Sequence, residues 1–265
     1  MKIIIKLILI LLFISCNSSL EKWKSYDETE EISKNSSSEN QKLRYKRIQS
    51  ISTDKNKLID GLENEIENFI KTKYDKLKPK IVEKSIPELQ QSVINKDFSY
   101  YDLTLFYLSR IYLVEFNEET YLNSIISINK NILEEAKSKD NQGNSDIYSV
   151  FGIPILLKDN IGFESLPTTA GAHSLQNNYT KDAYIVKKLK EKGALILGKT
   201  NLSEWANYFC SGCPNGYTAL GGQTLNPYGR KKIDTGGSSS GSGAATASNL
   251  TAVSLGSETS GSILS

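Results

Sequence analysis

Apolar positions along the chain fall into two textures. In the first half, Leu58, Ile59, Leu62, Ile66, Phe69 and Ile70 recur at helical spacing. Leu103 to Phe116 is a longer apolar stretch and predicts a second helix. Leu122 to Ile128 predicts a short strand, and Asn131 to Lys137 a helix ending in a polar loop. After Tyr148 the texture changes. Ile153 to Leu157 predicts a short buried strand and Asp182 to Lys192 a helix with Ala183, Val186 and Leu189 on one face. Ala194 to Leu197 predicts a strand, and Asn201-Leu-Ser-Glu204 has the capping-box form that opens a further helix. A Gly/Ser-rich loop, Gly236 to Gly243, then leads through small residues to a strand at Ala252 to Leu255. Strands alternating with helices predict an α/β fold with right-handed crossovers, preceded by a helical segment.

The N-terminus follows another logic. Lys2 and Lys6 flank an apolar run from Leu7 to Ile14, which meets Ser15-Cys16. A basic start, a short apolar core and a small residue form an export-signal pattern. The core is shorter than the roughly 20 apolar residues a membrane-spanning helix needs. Phe13-Ile14-Ser15-Cys16 resembles the lipobox of bacterial lipoproteins, with Phe13 in the place of the usual leucine. That resemblance implies lipidation of Cys16, an exported chain and a lipid anchor in a bacterial cell envelope. Residues 16–46 are rich in Ser, Lys, Glu and Asn and read as a disordered tether. The expected organisation is a signal peptide at 1–15, this tether at 16–46, a mostly helical region at 47–140 and an α/β region at 141–265.

Composition narrows the chemistry. The net charge of +2, with 32 basic residues spread among 30 acidic ones, offers no concentrated basic face for nucleic acid. Three cysteines and one histidine cannot furnish an ordinary structural zinc site. Cys210-Ser-Gly-Cys213 has the spacing of half such a site, but no second pair completes it; a local disulfide or two free thiols is the simpler reading. No metal and no cofactor is expected.

Gly193-Ala-Leu-Ile-Leu-Gly198-Lys199-Thr200 satisfies the written pattern of a phosphate-binding P-loop. The physics refuses it. A P-loop lies between a strand and a helix, whereas here a helix precedes the first glycine and the four middle residues suit a buried strand. Lys199 is expected to serve structure at the strand end.

Three features remain: Lys158 directly after a buried strand, the Gly/Ser-rich loop, and a second Gly-Ser pair at Gly261-Ser262. Amide hydrolysis needs a nucleophile, a base and donors for the oxyanion. A lysine can be that base if burial lowers its pKa, because desolvation disfavours the charged form.

These features lie within a larger match. Phe151-Gly-Ile-Pro-Ile-Leu-Leu-Lys158-Asp-Asn160, Asp234-Thr-Gly-Gly-Ser-Ser-Ser-Gly-Ser242 and Ser257-Glu-Thr-Ser-Gly-Ser262-Ile263 occur in the order found in the amidase signature family. Pro167-Thr-Thr-Ala-Gly171 and Gly198-Lys-Thr-Asn-Leu-Ser-Glu-Trp-Ala206 lie between them. The chain from about Phe151 onward resembles that family, the match fading back to about Tyr101. The triple serine and Asn201-Leu-Ser-Glu-Trp-Ala-Asn207 resemble its peptide-amidase branch. The resemblance implies a mixed sheet flanked by helices and a Ser-Ser-Lys triad acting through an acyl-enzyme. Ser262 would be the nucleophile, Ser238 the bridging serine held through a cis peptide bond, and Lys158 the base. Backbone N–H groups of Thr259, Ser260, Gly261 and Ser262 would form the oxyanion hole.

Ser239 could support the site from behind, while Ser240 and Ser242 read as hydrogen-bonding or capping serines. His173 reads as a surface or packing residue near the site. The implied substrate is a small-molecule or peptide amide; transfer of glutamine nitrogen to a charged transfer RNA fits an export signal poorly. Members of the family usually run on well past the nucleophile, so the chain reads as the front part of such a domain, with Leu264 where many members have arginine and Ser260 where glycine or aspartate is common. Two functions stay open: an amide hydrolase completed by a further part, or a non-catalytic surface lipoprotein.

Overall fold

The computed structural model describes residues 20–210 and 212–264. The signal peptide and Cys16 lie outside the described residues. In chain order the helices are α1 (Thr29–Ser36), α2 (Glu63–Phe69), α3 (Asp75–Ile81), α4 (Ile86–Ile94), α5 (Tyr100–Glu115), α6 (Ile132–Gln142), α7 (Tyr184–Glu191) and α8 (Ser240–Ala247). The strands are β1 (Ile125–Ile128), β2 (Pro154–Lys158), β3 (Leu195–Thr200), β4 (Tyr217–Thr218), β5 (Gly222–Gln223) and β6 (Val253–Leu255).

The main sheet runs β1-β3-β2-β6. β2 is parallel to both β3 and β6, and β1 is antiparallel to β3, so the sheet is mixed. All five residues of β2 and all six of β3 are buried, as expected of central strands covered on both faces. One apolar core runs from Leu58 to Leu250 and joins α2 and α5 to the sheet. The first half and the sheet are therefore one packed body: β1 and α6, from the region read as helical, belong to the sheet layer.

α5 is buried nearly all round, which explains its weak amphipathic pattern. Its first turn is capped twice. Ser99 Oγ accepts from Asp102 N at 3.1 Å, and the Asp140 carboxylate of α6 accepts from Tyr100 N and Tyr101 N at 2.7 and 3.1 Å. Farther along α5, Arg110 donates to the carbonyls of Ser248 and Asn249 at 2.7 and 2.8 Å, satisfying groups left open where α8 ends. The helix ends on Glu115, a buried carboxylate that accepts from the N–H groups of Leu122, Asn123 and Ser124 and so fixes the entry to β1.

Two expectations are corrected. Residues 20–46 do not form a free tether where they are described. Leu43, Tyr45 and Ile48 are buried with Tyr121, Leu122 and Leu225, and Trp23 and Tyr26 pack against the same cluster. Asn56 brackets Trp23 by accepting from its N–H at 2.8 Å and donating to its carbonyl at 3.1 Å. Average composition conceals these few aromatic and apolar anchors, which bury enough surface to order a polar segment. The second correction concerns Asn201 to Glu204. Only a short turn follows, at Glu204–Asn207, because Trp205, Ala206 and Asn207 take left-handed φ of 52°, 54° and 67°. The would-be capping groups are engaged elsewhere: Glu204 accepts from Ala219 N at 2.7 Å, and Asn201 donates to the carbonyls of Asn123 and Gly222.

Gly198 has a structural reason. A Cβ there would land on the Ser127 carbonyl of β1, so the residue permits close strand approach. The refused P-loop is accordingly strand β3, preceded by α7.

Candidate active site

β2 delivers Lys158 at its C-terminal end, and the side chain is fully buried. Its Nζ donates to Ser238 Oγ at 2.7 Å, Ser239 Oγ at 3.0 Å and the Ser257 carbonyl at 3.0 Å. Burial pushes the lysine down to about 8, against the opposing field of Glu258.

The Gly/Ser-rich loop enters α8, and its Gly237–Ser238 peptide bond is cis. Ser238 is fully buried, and its carbonyl accepts from Ser203 N at 3.0 Å. α8 lies close to the turn after β3: a Cβ on Gly241 would strike the backbone of Asn201, so the helix needs glycine there. Ser238 Oγ lies 3.1 Å from Ser262 Oγ. Ser262 is half-buried in a turn after β6, and its carbonyl accepts from Ser239 N at 3.0 Å. The three residues thus form one hydrogen-bonded line from a buried amine to a reachable hydroxyl.

The direction of that line depends on charge. A lysine ammonium has three N–H donors, and three acceptors surround it. In the neutral amine two N–H groups serve Ser239 Oγ and the Ser257 carbonyl, leaving a lone pair facing Ser238. Ser238 can then donate to Lys158 and accept from Ser262. Only this orientation can move a proton away from Ser262.

Ser239 does more than support from behind, since its hydroxyl contacts Lys158 and donates to the Ser257 carbonyl at 3.1 Å. Ser240 Oγ donates to the Gly236 carbonyl at 2.6 Å, and Ser242 Oγ to that of Leu255 at 3.0 Å. Both are structural, as expected. Gly261 N–H donates to Glu258 at 3.0 Å, whereas the N–H groups of Thr259, Ser260 and Ser262 meet no acceptor among the described residues. His173 is exposed. Cys210 and Cys213 form a local disulfide. A cleft beside Ser262 is lined by Ser239, Ser242, Thr246, Ser254 and Ile263.

Behind the site, Asp159 and Lys199 form a buried pair, with Asp159 Oδ1 3.7 Å from Lys199 Nζ. Burial pushes the carboxyl up and the ammonium down, each opposed by the other's charge. Asp159 also accepts from Thr169 Oγ1 and from Gly171 N, and Lys199 donates to the Ile161 carbonyl at 2.6 Å. The pair therefore staples the 159–171 loop to the sheet. Sequence reading placed Lys199 as structural but missed its partner, and it also missed the Ser257 carbonyl, because a backbone acceptor leaves no mark in residue type.

A buried lysine at the end of a central strand is thus joined through a serine after a cis peptide bond to a second serine, at one end of an α/β sheet. The Amidase family model matches residues 102–265. An amidase family protein from Bacillus anthracis has a similar structure, with a TM-score of 0.75 and 38% identity, over 82% of this chain and 44% of that one. The peptide amidase from Stenotrophomonas maltophilia matches with a TM-score of 0.64 and 41% identity, over 68% of this chain and 37% of that one. A Schizosaccharomyces pombe protein that carries an amidase name is 37% identical over 184 residues, 68% of this chain and 31% of that protein. The chain belongs to the amidase family. It spans about a third of the length of the curated relatives it matches.

Proposed function

We propose that this chain carries the nucleophile, bridging serine and base of an enzyme that hydrolyses carboxylic amides. The observation that carries the reading is the line Lys158 Nζ–Ser238 Oγ–Ser262 Oγ, at 2.7 and 3.1 Å. Ser262 Oγ attacks the amide carbon. Its proton passes to Ser238 Oγ, and the Ser238 proton passes to neutral Lys158. Collapse of the tetrahedral intermediate expels the amine, which takes a proton back along the same line. Water then attacks the acyl-enzyme by the same relay and releases the acid. Backbone N–H groups of Thr259, Ser260 and Ser262 are the available donors for the oxyanion; losing one such donor typically costs about 10²–10³ in rate.

The substrate class is a small-molecule or peptide amide, and the similarity to a peptide amidase supports the second of these. Lipidation of Cys16 would hold the site at an envelope membrane; among the described residues no helix is long and apolar enough to cross one. The test is covalent labelling of the full chain by a fluorophosphonate serine probe. We expect one adduct on Ser262, absent in Ser262→Ala. A folded chain that takes no label at Ser262 would sink the reading.

A further inference from the structure

Residues 20–23 are fastened to one end of the body. Leu20 packs against the main core. Tyr112 Oη, near the C-terminal end of α5, donates to the Glu21 carbonyl at 3.2 Å. Asn56 holds Trp23 through both its N–H and its carbonyl. The Trp23 ring lies 4.3 Å from Lys55 Nζ, and that amine donates to the Glu115 carbonyl at 3.0 Å. The start of the strap and the last turn of α5 are therefore one unit. Only Asn17, Ser18 and Ser19 separate this unit from Cys16. From Cys16 to Leu20 a fully extended chain reaches at most about 14 Å. A free tether over 16–46 would reach about 30 Å in root-mean-square span. Packing of the strap removes that reach.

We propose that the face formed by residues 20–24, the last turn of α5 and the 117–119 turn rests on a phospholipid headgroup layer, held there by the short link to a lipidated Cys16. The proposal rests on that lipidation and goes beyond the amide-hydrolase reading, which does not need it. The chemistry of the face suits a headgroup layer. Leu113 is exposed and Phe116 half-buried on the last turn of α5, and a broad hollow joins them to Trp23 and to the charged groups around it. Aromatic and apolar groups of this kind favour the boundary between headgroups and water. Lys22, Lys24 and Arg230 are matched there by Glu21, Glu118 and Glu119, so the face carries no dominant sign. Acyl chains supply the affinity, and the short link supplies the orientation. The catalytic body is then seated on the lipid surface, not carried on a stalk above it.

The experiment uses the full chain carrying Trp205→Phe, which leaves Trp23 as its one tryptophan. Intact mass reports acylation, and flotation with phosphatidylcholine vesicles reports binding. A nitroxide on the lipid headgroups quenches tryptophan at close range. Trp23 should lose most of its emission on nitroxide vesicles relative to plain ones. The loss should be the same when anionic phosphatidylglycerol is mixed in, because the face carries no dominant sign. Inserting about twenty Gly/Ser residues between Ser19 and Leu20 adds a span of about 25 Å, and should restore most of the emission while flotation persists. Cys16→Ala should neither float nor be quenched. A chain without acyl groups, or one that does not float, sinks the lipid-anchor reading and this proposal with it. An acylated chain that floats with Trp23 unquenched overturns this proposal alone. Quenching that needs anionic lipid, or that persists undiminished with the spacer, overturns it too. None of these outcomes bears on labelling at Ser262, which tests the amide-hydrolase reading separately.

Discussion

The two ends of the hydrogen-bonded line from Lys158 to Ser262 are held by different physics. Lys158 and Ser238 are fully buried, fixed by a central strand and by the start of α8, and the Ser257 carbonyl closes over the amine. Ser262 stands in a turn whose residues Glu258, Thr259, Ser260, Ile263 and Leu264 are all exposed. Packing fixes the first end; a few hydrogen bonds fix the second. Burial lowers the lysine's pKa to about 8, whereas Ser262 is only half-buried and lines a cleft. A relay of this kind needs one dry end and one reachable end. Changes at the buried end should therefore act through chemistry and stability together, and changes at the turn through chemistry alone.

The largest effect should come from Lys158→Met, which keeps a long apolar stem and deletes the base. General-base groups contribute about 10²–10⁴-fold, and serine labelling should fall by that much. The fold should survive at a cost of about 1–3 kcal/mol in urea unfolding, since methionine fills the space but the buried acceptors around Nζ lose their donor. The parent's own pH profile sharpens the point. The base acts only when neutral, so labelling should rise with pH and reach half its maximum near the value of about 8 to which burial holds Lys158. A flat profile between pH 6 and 9 in the parent, or unchanged labelling in Lys158→Met, would remove the lysine from the mechanism.

The next effect is on stability. Breaking a buried ion pair from one side typically costs about 3–5 kcal/mol, because the remaining charge stays buried without a partner. Lys199→Met should cost about that much in urea unfolding at pH 8. The loss should shrink toward pH 5. Burial already raises the Asp159 carboxyl, and without Lys199 it rises further. Below that folded pKa the native state takes up a proton and escapes the buried charge, whereas at higher pH it cannot. An equal loss at both pH values would show that Asp159 is not the charge left behind.

The unequal treatment of the two ends also explains what the sequence disclosed. Strand positions for Lys158 and Lys199 were legible because buried central strands are continuous apolar runs, and the serines because the motifs occur in order. The structure brings Lys158, Ser238 and Ser262 together and gives Ser240 and Ser242 their structural partners. The hold of Glu258 on its own turn was not legible, since its partners are three backbone N–H groups, those of Gly261, Ile263 and Leu264, and any carboxylate on a surface turn looks the same in sequence. The left-handed run at Trp205 to Asn207 was hidden for a related reason: Asn201 and Glu204 have the residue types of a capping box, but tertiary acceptors and donors far along the chain outcompete it. Local signals lose where a distant partner makes the better bond.

The smallest predicted effect concerns the strap formed by residues 20–48, remote from both ends of the relay. Tyr26 OH pairs with Tyr121 OH and donates to Glu31 at 2.8 Å, and burial raises the Tyr26 pKa, keeping the hydroxyl a neutral donor. Lys42 donates to the Cys213 carbonyl at 2.7 Å and Asn35 to that of Lys231 at 3.0 Å, so the strap also braces the loop that leads to Asp234 and Ser238. Tyr26→Phe removes one hydroxyl and keeps the ring, and should cost about 1 kcal/mol in urea unfolding, the usual net value of an intramolecular hydrogen bond. A free tether would lose nothing. Trypsin separates the two cases more sharply: a tether offers Lys22, Lys24, Lys34 and Lys42 for immediate cleavage, whereas a packed strap resists at Lys42 until the body opens. Serine labelling in Tyr26→Phe should stay within about twofold of the parent, because exposed hydrogen bonds at 261–264, and not the strap, present the nucleophile. If removing this single hydroxyl slowed labelling by more than that, the strap would be holding the turn as well, and the division between a packed end and a hydrogen-bonded end would have to be redrawn.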